Sequence, residues 1–189
     1  MMFKKISLIF IVALCISSCQ KDTKQEPFEI ASNRVGHLTN TTKLYQLDSI
    51  YSHDSIVKNT AKNKFLSNSD EIEIYEKGGV KLLILQPREA SDSTSTIASI
   101  QVLDPRYQTV SGLSPEGYFT DIKKNYKISK INNTLSAAVI FVDSIQAYIA
   151  IDKKELPSEF KFNTDIKIEA SKIPDSAKIK HFLISWDEN

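Results

Sequence analysis

Two arginines, Arg34 and Arg106, stand out in a chain whose other cations are almost all lysine, Arg88 being the third of their kind. A guanidinium is a planar fork that fits carboxylates and phosphates, so an arginine kept against a lysine background marks a place to look for an anion. His37 lies three residues beyond Arg34, and Tyr107 follows Arg106 directly. Together the four side chains could line a ligand-binding seam. The plainer reading is that each arginine ties its own loop to a carboxylate, such as Asp104. Other chemistry is harder to assemble. Ser52-His53-Asp54 has the residue types of a nucleophilic triad, but adjacent side chains diverge and triads are built from distant positions. The run reads better as a polar turn after a helix. His37, His53 and His181 are isolated, with no second histidine at ligand spacing, so neither a metal nor another cofactor is expected. Gly78-Gly79 is not followed by the Lys-Ser/Thr of a phosphate-cradling loop. Glu71 and Glu73 alternate along a strand pattern, which puts both on one solvated face and gives no specific glycosidase pair. No catalytic residue is assigned, and an enzyme is the less favoured class.

The two cysteines, Cys15 and Cys19, sit at the downstream edge of the chain's one long apolar run, Ile6 to Ile16, which follows a short basic start from Met1 to Lys5. A basic start, an apolar stretch and then small residues form the layout of an export signal. The run is too short to span a bilayer, which takes about 20 apolar residues. Ile16-Ser17-Ser18-Cys19 resembles the lipobox of bacterial lipoproteins. That resemblance implies removal of residues 1–18, acylation of Cys19 with palmitate-like chains, and loss of Cys15 with the signal. One acyl chain holds a protein to a bilayer marginally, whereas two hold it stably. Gln20-Lys21-Asp22 is similar to the export tag of Bacteroidetes surface lipoproteins, diluted here by Thr23 and Lys24. An ordinary polar tether over 19–27 is the other reading. The implied location is the outer membrane, with its periplasmic and surface faces both left open. Asp-Ser pairs resemble the O-glycosylation site of exported Bacteroidetes proteins, and Ser93 and Ser176 fall in loops.

Charge narrows the partners. The 24 basic residues nearly match the 23 acidic ones, and removal of Lys4 and Lys5 with the signal tips the balance slightly acidic. A nucleic-acid binder needs a basic stripe to displace counterions, so none is expected. The remaining chain, 28–189, is long enough to bury about two thirds of its surface as one domain.

Within that domain the sequence partly repeats. Val35, Leu38, Thr39, Leu44, Leu47 and Tyr51 fall on Val110, Leu113, Ser114, Phe119, Ile122 and Tyr126 at an offset of about 75. Each copy offers a glycine turn, a Thr or Ser suited to cap a helix, and apolar positions at helical spacing. In the second copy Pro115 suits a first helical position. Alternating segments follow: 71–77 and 80–87 joined at Gly78-Gly79, then 96–104; and 137–143 and 147–152, then 179–187. The expectation is an α+β fold of two similar units, about 28–104 and 105–189, each a short helix on an antiparallel meander, able to share one continuous sheet. In the last segment Phe182, Ile184 and Trp186 should face the helices.

This helix-plus-meander repeat is similar to the β-lactamase inhibitory protein, and the stretches "VGHLT" and "TVSGLSPEGYFTDIKKNY" resemble a lipoprotein family of flavobacteria and their relatives that carries no known activity. The expectation for function is therefore a non-enzymatic envelope lipoprotein that presents a surface to another protein or a glycan. Two alternatives stay open. An inhibitor of a hydrolase would need an exposed aromatic loop, for which 104–112 around Tyr107 is the candidate. An enzyme on envelope polymers would need a cleft with carboxylates of divergent pKa.

Overall fold

A computed structural model describes residues 26–59 and 70–186. The expected signal over 1–18, Cys19 and Gln20-Lys21-Asp22 lie outside the described residues. Strands β1 (Glu29–Ala31), β2 (Arg34–Val35) and β3 (Leu38–Thr39) come first. Then follow β4 (Ser55–Asn59), β5 (Glu71–Tyr75), β6 (Lys81–Pro87), β7 (Ile97–Val102) and β8 (Gln108–Thr109). The second half adds β9 (Lys130–Asn133), β10 (Ala137–Val142), β11 (Ala147–Asp152) and β12 (Ile179–Ser185). Helices α1 (Leu47–Ile50), α2 (Phe119–Asn125) and α3 (Ser158–Lys161) are short.

The alternation in the sequence becomes one-sided burial. In β5, Ile72 and Ile74 are buried between half-covered Glu71, Glu73 and Tyr75. In β12, Phe182 and Ile184 are fully buried, with Trp186 beyond them, while His181 is exposed. Eight strands hydrogen-bond in the order β4-β5-β6-β7-β12-β11-β10-β9, every neighbour antiparallel. Each half of the chain supplies four consecutive strands. They meet at the centre, where Val102 faces Phe182 and Ser99 faces Ser185. The fold is α+β, as one large sheet rather than two separate units.

The helical segments repeat bond for bond. The amide of Lys43 donates to Gln46 Oε1 and that of Tyr118 to Asp121 Oδ2, both 2.8 Å. Leu44 and Tyr45 donate main-chain bonds to Ser95 and Ser93, as Phe119 and Thr120 do to Ala177 and Asp175. The amide of Tyr51 bonds Leu47 O and that of Tyr126 bonds Ile122 O, both 2.9 Å. These bonds correct two expectations. Thr39 lies in β3 and Ser114 in a turn, so neither caps a helix; Gln46 and Asp121 reach back to cap instead. Pro115 precedes α2 by several residues, because Tyr118 is still bridged to Lys178 as extended chain. Val35 is buried but Val110 is 87% exposed, so that pair shares sequence without sharing an environment.

A second, small sheet, β3-β2-β1-β8, packs its Ile30, Val35 and Leu38 into the same core. In it the first described strand runs parallel to β8 of the second half, with Glu29 opposite Gln108.

The strand registers give the large sheet two distinct ends. At the first lie the Glu76–Val80 turn, the loop after Val102, the turn between Asn133 and Ala137, and the chain leaving Asp152. At the second lie Asn59, the loop after Pro87 and the Asp143–Gln146 turn.

Candidate functional site

The residues proposed for a seam do come together, but around the start of the described chain rather than around an open space. Phe28 packs edge-on against Tyr107 at 5.0 Å and lies under the Arg106 guanidinium at 4.4 Å. Gly36 turns at φ +55° beside them, close to Pro27 O and Tyr107 Cε1. Arg34 donates to Gly36 O and pairs with Glu29. His37 is exposed in the turn between β2 and β3.

The guanidinium of Arg106 is held between two carboxylates. It meets Glu76 through two parallel bonds of 2.8 and 2.9 Å and Asp104 through two more of 2.9 and 2.8 Å. That bidentate geometry is the strong form of the pair. Hydrogen bonds from Arg106 hold the Asp104 and Glu76 carboxyls below the usual carboxylate range. Tyr107 is 2% exposed, and its burial pushes the phenol up to about 12. Two corrections follow. Arg106 spends four of its five N–H donors on two carboxylates, whose negative charges repel an anionic ligand. Tyr107 cannot be the exposed aromatic of an inhibitory loop, because Phe28 and Gly36 cover it.

The remaining sequence candidates stay apart. Ser52 and His53 are exposed in the turn closed by the Asp54 amide on Tyr51 O. His181 meets Gln101 across two strands at 3.2 Å. Glu73 accepts from Tyr75 at 2.5 Å and pairs with Lys81 at 2.9 Å, and these two bonds lower its pKa. Gly78 and Gly79 form the hairpin turn. Among the described residues no three His, Cys, Asp or Glu side chains converge as a metal site. Ser93 and Ser176 are both exposed in turns.

The concavity that the sequence did not disclose lies at the second end of the sheet. It has a volume of ≈ 330 Å³, and its lining includes Tyr45, Asp48 of α1, Lys58 and Asn59 of β4, and Asp70 and Glu71 at the start of β5. Pockets of this size accept small ligands. Tyr45 is 57% exposed there, offering a ring face, and Lys58 pairs loosely with Asp48 at 3.9 Å. The one available signal was that Tyr45 falls off the Leu44, Leu47, Tyr51 stripe. The polar partners were illegible because β4 carries no hydrophobic alternation. In the second half the equivalent of Tyr45 is Thr120, and Lys123, the equivalent of Asp48, is paired with Asp175.

No protein-family model matches the chain, and no curated protein is similar to it. Among solved structures it is similar to the uncharacterized protein yfeY from Escherichia coli, with 16% sequence identity and a TM-score of 0.51, over 83% of this chain and 99% of that one. At that identity the likeness concerns the fold alone.

Proposed function

We propose that this chain is a non-enzymatic lipoprotein of the bacterial outer membrane, anchored through acyl chains on Cys19, whose folded domain binds an envelope glycan in the cleft beside Tyr45. The observation that carries the reading is the cleft itself. A half-exposed aromatic flanked by the Asn59 amide, the Lys58 ammonium and the carboxylates of Asp48, Asp70 and Glu71 suits a sugar, whose rings stack on aromatics while its hydroxyls take hydrogen bonds. The lipobox-like Ile16-Ser17-Ser18-Cys19 supports the anchor. Among the described residues no helix is long and apolar enough to cross a membrane. The matching bonds of the two halves support an internal duplication in which one copy kept, or gained, the aromatic. The test is calorimetric titration of the protein with soluble peptidoglycan fragments and surface oligosaccharides, alongside Tyr45→Ala. Binding that drops about tenfold in the variant, equivalent to about 1.4 kcal/mol, is the expected result. Binding unchanged by the substitution would remove the cleft from the account.

A further inference from the structure

Among the described residues the large exposed apolar side chains are not scattered evenly. Leu135, 87% exposed, stands in the turn between β9 and β10, and Phe162, 96% exposed, follows α3. Val80 projects from the Glu76–Val80 turn, Ile166 from the chain after Phe162, and Tyr118 from its bridge to Lys178. The registers put Val80 and Leu135 at the first end of the large sheet, and the Asn133 bonds and the Lys178 bridge bring Phe162, Ile166 and Tyr118 to the same end. The others, Tyr45, Val57 and Val110, lie at the cleft, on the edge strand β4 and beyond β8. Singly exposed hydrophobics are ordinary, but several gathered on one rim mark a contact surface.

That rim is also built to be firm. Asn133 Nδ2 donates to the carbonyls of Asn163 and Ile166 at 2.9 and 2.7 Å. The buried Lys153 ammonium donates to Asn133 Oδ1 and to Phe160 O. The turn bearing Leu135 and the segment bearing Phe162 are thus bonded to one another. From β6 to β10 the sheet spans four strand spacings, about 19 Å, so Val80 and Leu135 belong to one footprint.

The described chain starts at this same end. Phe28 lies on Arg106, and Arg106 is clamped to Glu76 of the Val80 turn. Seven peptide units separate Cys19 from Glu26, which at full extension reach about 25 Å.

We propose that this rim rests on the lipid bilayer, with Leu135 and Phe162 inserted at the headgroup level beside the acylated N-terminus. The inference rests on the reading of Cys19 as an acylated anchor. A short tether makes the surface nearest its origin the one that meets the membrane most often, and apolar tips there gain by burial at the interface. The cleft beside Tyr45 lies at the opposite end of the sheet, so a domain seated in this way holds that cleft toward the envelope space.

The test uses the full chain expressed with its signal, purified with its lipid, and reconstituted into phosphatidylethanolamine vesicles containing doxyl-labelled lipid. Leu135→Cys, Phe162→Cys and, at the other end, Ser144→Cys are labelled with an environment-sensitive fluorophore. All three positions are exposed, so folding is unaffected, and intact mass reports acylation of each sample. The expected result is acylated protein with quenching several-fold stronger at 135 and 162 than at 144. Acylated protein with equal quenching at all three positions overturns the rim alone. A mass without acyl chains overturns the anchor and the rim with it.

Discussion

Gly36→Ala tests the contact that fixes where the chain leaves the domain. The glycine adopts φ +55°, and a Cβ there would lie 2.4 Å from Pro27 O and 3.2 Å from Tyr107 Cε1. Left-handed backbone costs a residue with a Cβ about 1–2 kcal/mol. The overlap with a backbone oxygen cannot be relieved by turning a side chain, so Pro27 must move away, at a further cost of about 1–3 kcal/mol. The expected loss is therefore about 2–5 kcal/mol in total. Gly112 provides the comparison. It also has positive φ, at +79°, but a Cβ there meets nothing within 4 Å. Gly112→Ala should lose only the conformational share, about 1–2 kcal/mol. Urea unfolding of both variants, with the slope unchanged so that midpoints report stability, gives the difference directly. Equal losses would refute the reasoning, because they would mean that Pro27 does not press on Gly36 and that the first described residues are held some other way.

Two further outcomes follow from the charge network and the rim. The carboxyls of Asp104 and Glu76 titrate below their ordinary range because of Arg106. Their contribution is present above the unfolded value of about 4 and is lost as pH falls through the folded values. Arg106→Leu should flatten the loss of stability between neutral pH and pH of about 3, and a urea-midpoint profile parallel to that of the natural protein would contradict this. Lys153→Met removes the donor to Asn133 Oδ1 and Phe160 O, leaving two acceptors short and costing about 2–4 kcal/mol. Hydrogen exchange should quicken first around Phe160 to Ile166, and unchanged exchange there would rule out the ammonium as the clasp of the rim.

Segments that bury one face were legible in the sequence, and segments that bury neither were not. β5, β6, β7, β10, β11 and β12 announce themselves because the residues at every second position must leave water. The outer strands β4 and β9 pair on one side only. Their sequences, Ser55–Asn59 and Lys130–Asn133, are mostly exposed or half exposed and carry no period. The small sheet was illegible for a different reason: strands of two or three residues are set by the turns around Asn33 and Gly36, both at positive φ, rather than by any pattern. The candidate seam was half legible. Arg34, Arg106 and Tyr107 were marked by type, but whether an arginine fork greets a ligand or a carboxylate depends on Glu76, thirty residues from Arg106 in sequence and brought beside it by the hairpin.

The two halves make the same bonds yet present different chemistry, and that difference is where function is best sought. At equivalent places Tyr45 and Thr120 donate to Ser93 and Asp175. In the second half the Asp175 carboxylate also takes Lys123, and the chain from Asp152 to Ile179 is long enough to add α3 and the apolar tips beyond it. In the first half the matching loop, from Pro87 to Ile97, is short, and the aromatic beside it stays half exposed. Because the strand order runs inward from both edges to a central antiparallel pair, equivalent places on the two halves fall at opposite ends of the sheet. A difference between the two halves therefore gives the domain two unlike poles. Tyr45 in the first half lines a cleft at one pole, and the longer loop of the second half bears apolar tips at the other. Exchanging the two side chains, Tyr45→Thr with Thr120→Tyr, would move the ring to the rim without altering the main-chain bonds, and binding that followed the ring to that pole would show that the aromatic, not the surrounding frame, selects the ligand.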